Sequence, residues 1–276
     1  MDMAITHPDG SNEILETLLI PLYIRALESQ RLDALIKDEN AVALTRQMDQ
    51  RNLQNALVKV QDETRVAIVL RNRQFDFYTR DFLMRYPNAV VVHIGCGLDA
   101  RFARVDNGKV EWYDLDLPEV IELRSRLVGG EMDRYHLLAG SVLDETWLNA
   151  VGEHRQRPFL FLAEGVFMYL TLAQLKLLVL NLQNKFPGAE IVFDAFSPFF
   201  AWAHNLRVDK TKIGARCHWA IMRGQELEQW SDGIQLLDEW FPFEQPEPRL
   251  GAMRYLRWIP LLTKTMRVLR YRLGAR

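Results

Sequence analysis

Residues 90–102 read VVVHIGCGLDARF, an apolar run that ends in two glycines one residue apart. A short apolar run bounded by turn residues marks a strand buried on both faces. The glycines allow a tight turn and a close approach of the backbone to a ligand. Gly95-x-Gly97-x-x-Ala100 also satisfies the dinucleotide fingerprint G-x-G-x-x-G/A. A pyrophosphate held there would need free N–H groups at a positive helix end. Asp99, two residues past Gly97, is expected to open the next helix, cap it and repel a phosphate. Asp114 and Asp116 follow Gly97 by 17 and 19 residues and share one face of the next extended segment. An acid at that distance suits the ribose of NAD or of S-adenosylmethionine. Spacing leaves both open, and Asp99 tips the balance toward S-adenosylmethionine.

Outward from this loop the chain alternates. The apolar runs AVVVHI (89–94), VEWYDLDL (110–117), YHLLAGS (135–141), PFLFLAEG (158–165) and AEIVFDAF (189–196) are separated by helical stretches such as PEVIELRSRLV and TLAQLKLLVLNLQNKF. Strand and helix in alternation point to a doubly wound, mostly parallel α/β sheet. Ligands of such sheets bind at the carboxyl ends of the strands, which places Gly95, Gly97, Asp114, Asp116, Ser141 and Glu164 on one rim. Residues 1–86 read as a helical cap and 87–276 as the α/β core. SNEILETLLIPLYIRALESQ starts with a cap-like Ser11, and DETRVAIVLRNRQFDFYTRDFLMRYP stops before Pro87. Residues 197–231 interrupt the alternation with a Trp- and His-rich stretch, a lid-like insertion or a set of packing helices; a strand in GIQLLDEWF resumes it.

Composition narrows the function classes. Lys and Arg number 34 against 36 Asp and Glu among 276 residues, so the overall charge does not suggest a nucleic-acid partner. The acidic, polar start lacks a signal-peptide pattern, and no window approaches a membrane-spanning length. Cys96 and Cys217 are the only cysteines and have no neighbours at metal-ligand spacing, so neither a metal nor a disulfide is expected. A reducing, cytoplasmic setting is favoured.

The segments VVVHIGCGLDARFARV, WYDLDLPEVIELR, SVLDETWL, FLAEGVFMYL, FPGAEIVFD and ELEQWSDGIQLLDEW occur in order. Together they resemble the leucine carboxyl methyltransferase family, most closely its bacterial and archaeal branch of tetracenomycin polyketide O-methyltransferase-like proteins. The likeness runs from about Glu16 to the C-terminus. It implies a class I S-adenosylmethionine-dependent methyltransferase fold with a seven-stranded sheet and an N-terminal helical cap. By the family pattern, Arg71 pairs with the cofactor carboxylate, with Arg73 as a possible helper. Gly95 lies under the methionine part, Asp116 holds the ribose hydroxyls, Ser141 and Val142 meet the adenine, and Glu164 stands beside the methionine end. Arg25 matches loosely as a second carboxylate partner. His93 replaces the usual Asn, Ala100 the usual Thr, and Ser141 an Asp of the protein-directed branch.

These residues leave several functions open. Methyl transfer needs alignment of acceptor, methyl and sulfur and exclusion of water. An ionised carboxylate acceptor needs no general base, whereas a phenol, with a pKa near 10, profits from one. No histidine is clearly placed for that role, so the expectation is an O-methyltransferase acting on a small aromatic or polyketide-like acid. A phenolic acceptor, a protein C-terminal carboxyl group, an NAD(P)-dependent oxidoreductase and a non-catalytic S-adenosylmethionine-binding protein are the alternatives. Trp202, His204, His218 and Trp219 are candidates for an acceptor pocket or for plain core. From Arg249 to the end there are eight Lys and Arg and no acid. LLTKTMRVLRYRL reads as a basic amphipathic helix, packed on the sheet or touching an anionic surface.

Overall fold

The computed structural model describes residues 12–48, 60–211, 215–256 and 259–274; the expected Ser11 cap lies outside them. Helices α1 (Asn12–Ser29), α2 (Glu39–Arg46) and α3 (Asp62–Arg85) precede the first strand. Asp38 starts α2 by accepting from the Ala41 N–H, which satisfies one of the donors a helix start leaves free. Helix α3 ends at Arg85 because Tyr86, just before Pro87, is pushed out of helical geometry.

Strands β1 (Val90–Ile94), β2 (Glu111–Asp116), β3 (Tyr135–Ala139), β4 (Phe159–Ala163) and β5 (Ala189–Phe196) run parallel. Helices α4 (Arg101–Val105), α5 (Pro118–Leu127), α6 (Thr146–Val151) and α7 (Leu172–Lys185) lie between them in sequence, and α8 (Pro198–Thr211) follows β5. Strand β6 (Ile234–Trp240) and, after a short α9 (Pro260–Thr263), strand β7 (Met266–Leu273) complete a seven-stranded sheet of order β3-β2-β1-β4-β5-β7-β6 among the described residues.

The side-chain alternation of β1 divides the core. Val90, Val92 and Ile94 pack with Phe161, Phe193 and Tyr271 on one face. Val91 packs with Trp112 and with Phe75, Tyr78 and Phe82 of α3 on the other. Both faces of the central strands are covered, which is why β1 and β4 are buried throughout and, His93 apart, apolar rather than alternating. The chain winds outward from β1 to β3 and then returns to β4 beside β1. The strand order therefore reverses between β1 and β4, and ligands of such sheets bind in the crevice at the carboxyl ends of the strands beside this switch point.

The C-terminal reading needs correction. Residues 266–273 do not form a basic amphipathic helix; they form β7, antiparallel between β5 and β6. Two of its three arginines, Arg267 and Arg270, are buried and paired within the protein, and only Arg272 is exposed. Arg270 meets Glu190 of β5 at 2.8 Å and Asp81 of α3 at 2.7 Å. Arg267 donates to Glu239 of β6 at 2.6 Å and to the Met222 carbonyl. With these charges neutralised, Val268, Leu269, Tyr271 and Leu273 can be fully buried. No described helix is long and apolar enough to cross a membrane.

Deleting residues 263–276 is expected to abolish folding, because β5 and β6 would lose the strand that joins them. Circular dichroism should show no cooperative thermal transition; a truncated protein that still melts cooperatively would contradict this role for β7.

Candidate functional site

Parallel register sets the floor of the crevice. Ile94 of β1 lies level with Leu115 of β2 and Ala163 of β4, so Gly95, Asp116 and Glu164 leave the sheet at one rim. Gly95 has φ +63°, and a Cβ there would stand 2.3 Å from Cγ2 of Val166 in the loop after β4. Only glycine lets these two loops approach so closely. Gly97, with φ +51°, donates its N–H to Asp116 Oδ2 at 2.8 Å. Asp116 Oδ1 accepts the Leu117 N–H, and among the described residues no cation forms an ion pair with this carboxylate. Burial raises the Asp116 carboxyl above its ordinary range, against the pull of the two N–H bonds.

Asp114 shares a face with Asp116 but lies one repeat deeper and does not reach the rim. It is fully buried and accepts from Trp112 Nε1 at 2.8 Å, Tyr135 Oη at 2.6 Å and the Arg124 guanidinium. Arg124 in turn donates to the carbonyls of Gly97 and Asp99, each at 2.8 Å. Asp114 thus anchors the glycine loop from behind through Arg124. The buried His93 ring lies edge-on to Trp112, with Nδ1 3.4 Å from Asp114.

Opposite this loop, Glu164 accepts three donors: Arg71 Nε at 2.8 Å, Asn72 Nδ2 at 2.5 Å and Arg101 Nη2 at 2.6 Å. Burial alone would raise the Glu164 carboxyl; Arg71 and Arg101 outweigh it and hold the group below its ordinary range. A second Arg71 nitrogen, Nη1, donates to Asp194 Oδ2 of β5 at 2.7 Å, and among the described residues none accepts from Nη2. Asp194 Oδ1 accepts the Gly165 N–H at 2.6 Å.

Asp99 behaves differently from its sequence expectation. Helix α4 begins after Ala100 with no side-chain cap, and the Asp99 carboxylate turns inward. It meets Arg104 at 2.7 Å, Arg101 at 3.1 Å and Arg25 at 3.9 Å. These arginines overcome burial and keep its carboxyl well below the ordinary range. Arg25 also holds Asp38 at 2.9 Å and the Leu98 carbonyl at 3.1 Å. Asp76 of α3 closes the network with Arg101 and Arg104.

The remaining candidates are dispersed. Arg73, two residues after Arg71, is exposed on the outer side of α3, in a polar groove with Asp38, Arg80 and Arg104. A two-residue step turns about 200° around a helix, which is why it cannot join Arg71. Ser141 and Val142 are half-buried at the end of β3, where the Ser141 hydroxyl accepts the Leu143 N–H. The four insertion residues do not converge on one pocket. Trp219 packs on Phe193 in the core, while Trp202 is 59% exposed. His204 bonds the Ala215 carbonyl, and His218 is exposed. Asn72, Asp76, Arg101, Arg124 and Asp194 escaped sequence reasoning. A period-four pairing of Asn72 with Asp76 along α3 was the one local signal; the other partners lie far away in sequence.

The sequence model of the leucine carboxyl methyltransferase family matches residues 19–183. The chain is 34% identical over 269 residues to tetracenomycin polyketide synthesis O-methyltransferase TcmP of Streptomyces glaucescens, covering 93% of this chain and 95% of that protein. It is 28% identical over 258 residues to the S-adenosyl-L-methionine-dependent methyltransferase dpfgK of Gibberella zeae, with 87% and 86% covered. A solved structure of a putative methyltransferase from Thermobifida fusca shares the fold with a TM-score of 0.59 at 14% identity, over 93% of this chain and 95% of that one. Among the described residues no cluster of three or more His, Cys, Asp or Glu could hold a metal ion.

Asp76, Asp99, Asp114 and Glu164 all have carboxyls depressed below their ordinary values. As the pH falls, the unfolded chain therefore takes up protons first, and stability present above about pH 4 is lost below it. The melting temperature should fall steeply on the acid side. Asp99→Asn is expected to cost roughly 3 kcal/mol at neutral pH by unbalancing Arg101 and Arg104, and to flatten that acid limb. An unchanged limb in thermal melts would count against the network.

Proposed function

The chain belongs to the leucine carboxyl methyltransferase family, and from that premise we propose that it methylates the carboxyl group of a small aromatic or polyketide-like acid. Family and relatives make it an S-adenosylmethionine-dependent O-methyltransferase; the acceptor and the residue roles are our reading.

The residues at the rim suit the cofactor. Among the described residues Asp116 accepts only two backbone N–H groups, so lone pairs remain for two ribose hydroxyls. Asn72 Oδ1 and Arg101 Nη1, on side chains that bond Glu164, are buried without a partner. Arg71 Nη2 lies beside Gly165, 3.8 Å from where a Cβ would stand, and has donors left for a carboxylate. In this reading Gly95 and Gly97 floor the methionine half, Ser141 and Val142 border the adenine, and Arg71 and Glu164 hold the amino-acid end. S-adenosylmethionine bound there supplies an electrophilic methyl on a positively charged sulfur.

One observation carries the choice of acceptor. The carboxylates facing the crevice from β4 and β5, Glu164 and Asp194, are both committed to guanidinium groups. Neither is free to take a proton from a phenol, whereas an ionised carboxylate needs only alignment and a dry site. Helix α8 starts just past the end of β5 and leaves Phe199 and Trp202 exposed with ring centroids 6.1 Å apart. Such flat apolar surface at the rim suits a planar aromatic acceptor.

Calorimetry with S-adenosylmethionine, followed by tritiated methyl transfer to a panel of carboxylic acids and phenols, tests the proposal. The expected product is a methyl ester that releases methanol in alkali. Transfer to phenols alone would overturn the acceptor assignment, and binding without any transfer would favour a non-catalytic role. Asp116→Asn should weaken cofactor binding roughly tenfold or more, the order expected on losing a charged hydrogen-bond acceptor; unchanged affinity would remove Asp116 from the ribose site.

A further inference from the structure

Asp194 is a buried carboxylate that no part of the proposed chemistry uses. It lies on β5 with no exposed surface, and each of its oxygens has one short bond to a different part of the rim. Oδ2 takes Arg71 Nη1 at 2.7 Å, and Oδ1 takes the Gly165 N–H at 2.6 Å. Its neighbours in β5, Phe193 and Ala195, are packed in the core on the opposite face of the sheet. An isolated charge in such surroundings is costly unless it is paired and hydrogen-bonded, so both bonds are needed to keep it there.

These two bonds fix two things at once. A guanidinium is planar and presents its donors as a rigid fork. With Nε held by Glu164 and Nη1 by Asp194, the plane of Arg71 is set, and Nη2 is the nitrogen that keeps both its N–H groups for a ligand. The Gly165 bond holds the turn after Glu164, where Gly165 has φ +73°. That turn also places Val166 against Gly95.

We propose that Asp194 is a positioning residue for the cofactor: it aims the free arm of Arg71 at the amino-acid carboxylate and pins the Gly165 turn beside it. This rests on the reading that Arg71 meets that carboxylate. The competing expectation has the opposite sign. If Asp194 only added negative charge near Arg71, removing the charge would leave Arg71 more attractive to an anion and binding would tighten. If it orients the fork, removing it loosens Arg71 and binding weakens.

The test compares two ligands by calorimetry on the full chain. S-adenosylhomocysteine carries the amino-acid end, and 5′-methylthioadenosine lacks it. Wild type must first bind S-adenosylhomocysteine; failure at that step sinks the cofactor reading rather than this inference. Asp194→Asn keeps the size of the side chain and is expected to lose about tenfold for S-adenosylhomocysteine, the order seen when a group that orients a ligand-binding side chain is removed. Affinity for methylthioadenosine should stay the same. Equal or tighter binding of S-adenosylhomocysteine overturns the proposal, as does an equal loss for both ligands, which would mark a merely structural role. Should Asp194→Asn fail to fold, Asp194→Ser, which leaves room for a water between Arg71 and Gly165, is measured and read in the same way.

Discussion

The bond set at Glu164 ties together three stretches of chain that lie far apart in sequence. Arg71 and Asn72 reach it from α3, Arg101 from α4 beyond the glycine loop, and Glu164 itself ends β4. Taking charges out of water costs several kcal/mol per ion, and leaving one of them unpaired costs about 3–5 kcal/mol. The set is therefore stable only when every member is present. Through Arg101 and Arg104 it continues to Asp76, Asp99 and Asp38, and through Arg25 to the first helix. The N-terminal helices are thereby held to the rim of the sheet by ion pairs as well as by apolar packing of Leu22, Ala26 and Leu44 with Leu98.

This arrangement gives the catalytic reading its physical content. A methyltransferase acting on an ionised acceptor gains little from acid–base chemistry and much from fixed geometry. Guanidinium groups locked by carboxylates cannot follow a ligand around; they meet it at one place. The same constraint acts on the other side of the crevice, where Arg124 holds the Gly97 and Asp99 carbonyls and is itself held by Asp114. Both walls are held by bonds within the protein itself, which leaves binding little ordering to do.

Local rules made much of the architecture legible. Strands β1 to β6 fall on apolar runs read from the sequence, and α3 stops where Pro87 requires. The exception is β7, whose arginines suggested a solvated helical face. Pattern reading assumes that basic residues seek water, and here Glu190, Asp81 and Glu239 supply the counter-charge from neighbouring elements. Asp99 misled for a related reason: a carboxylate near a helix start is usually its cap, but Arg101 and Arg104 of α4 itself, with Arg25 of α1, draw it inward.

Sequence was sufficient for the strand–helix alternation, the glycine loop and the family to which the chain belongs. Each depends on residues close together in the chain, where spacing and backbone preference act directly. Which charges pair, and so which acids reach the rim and which stay behind it, was settled by folding alone. Asp114 and Asp116 differ by two positions, yet one is sealed by Arg124 and the other is left with lone pairs at the rim. Arg71 and Arg73 differ by two as well, and the turn of a helix sends one to Glu164 and the other to solvent. Ion pairs act through space between segments that only the sheet brings together, and a linear pattern carries no record of that distance.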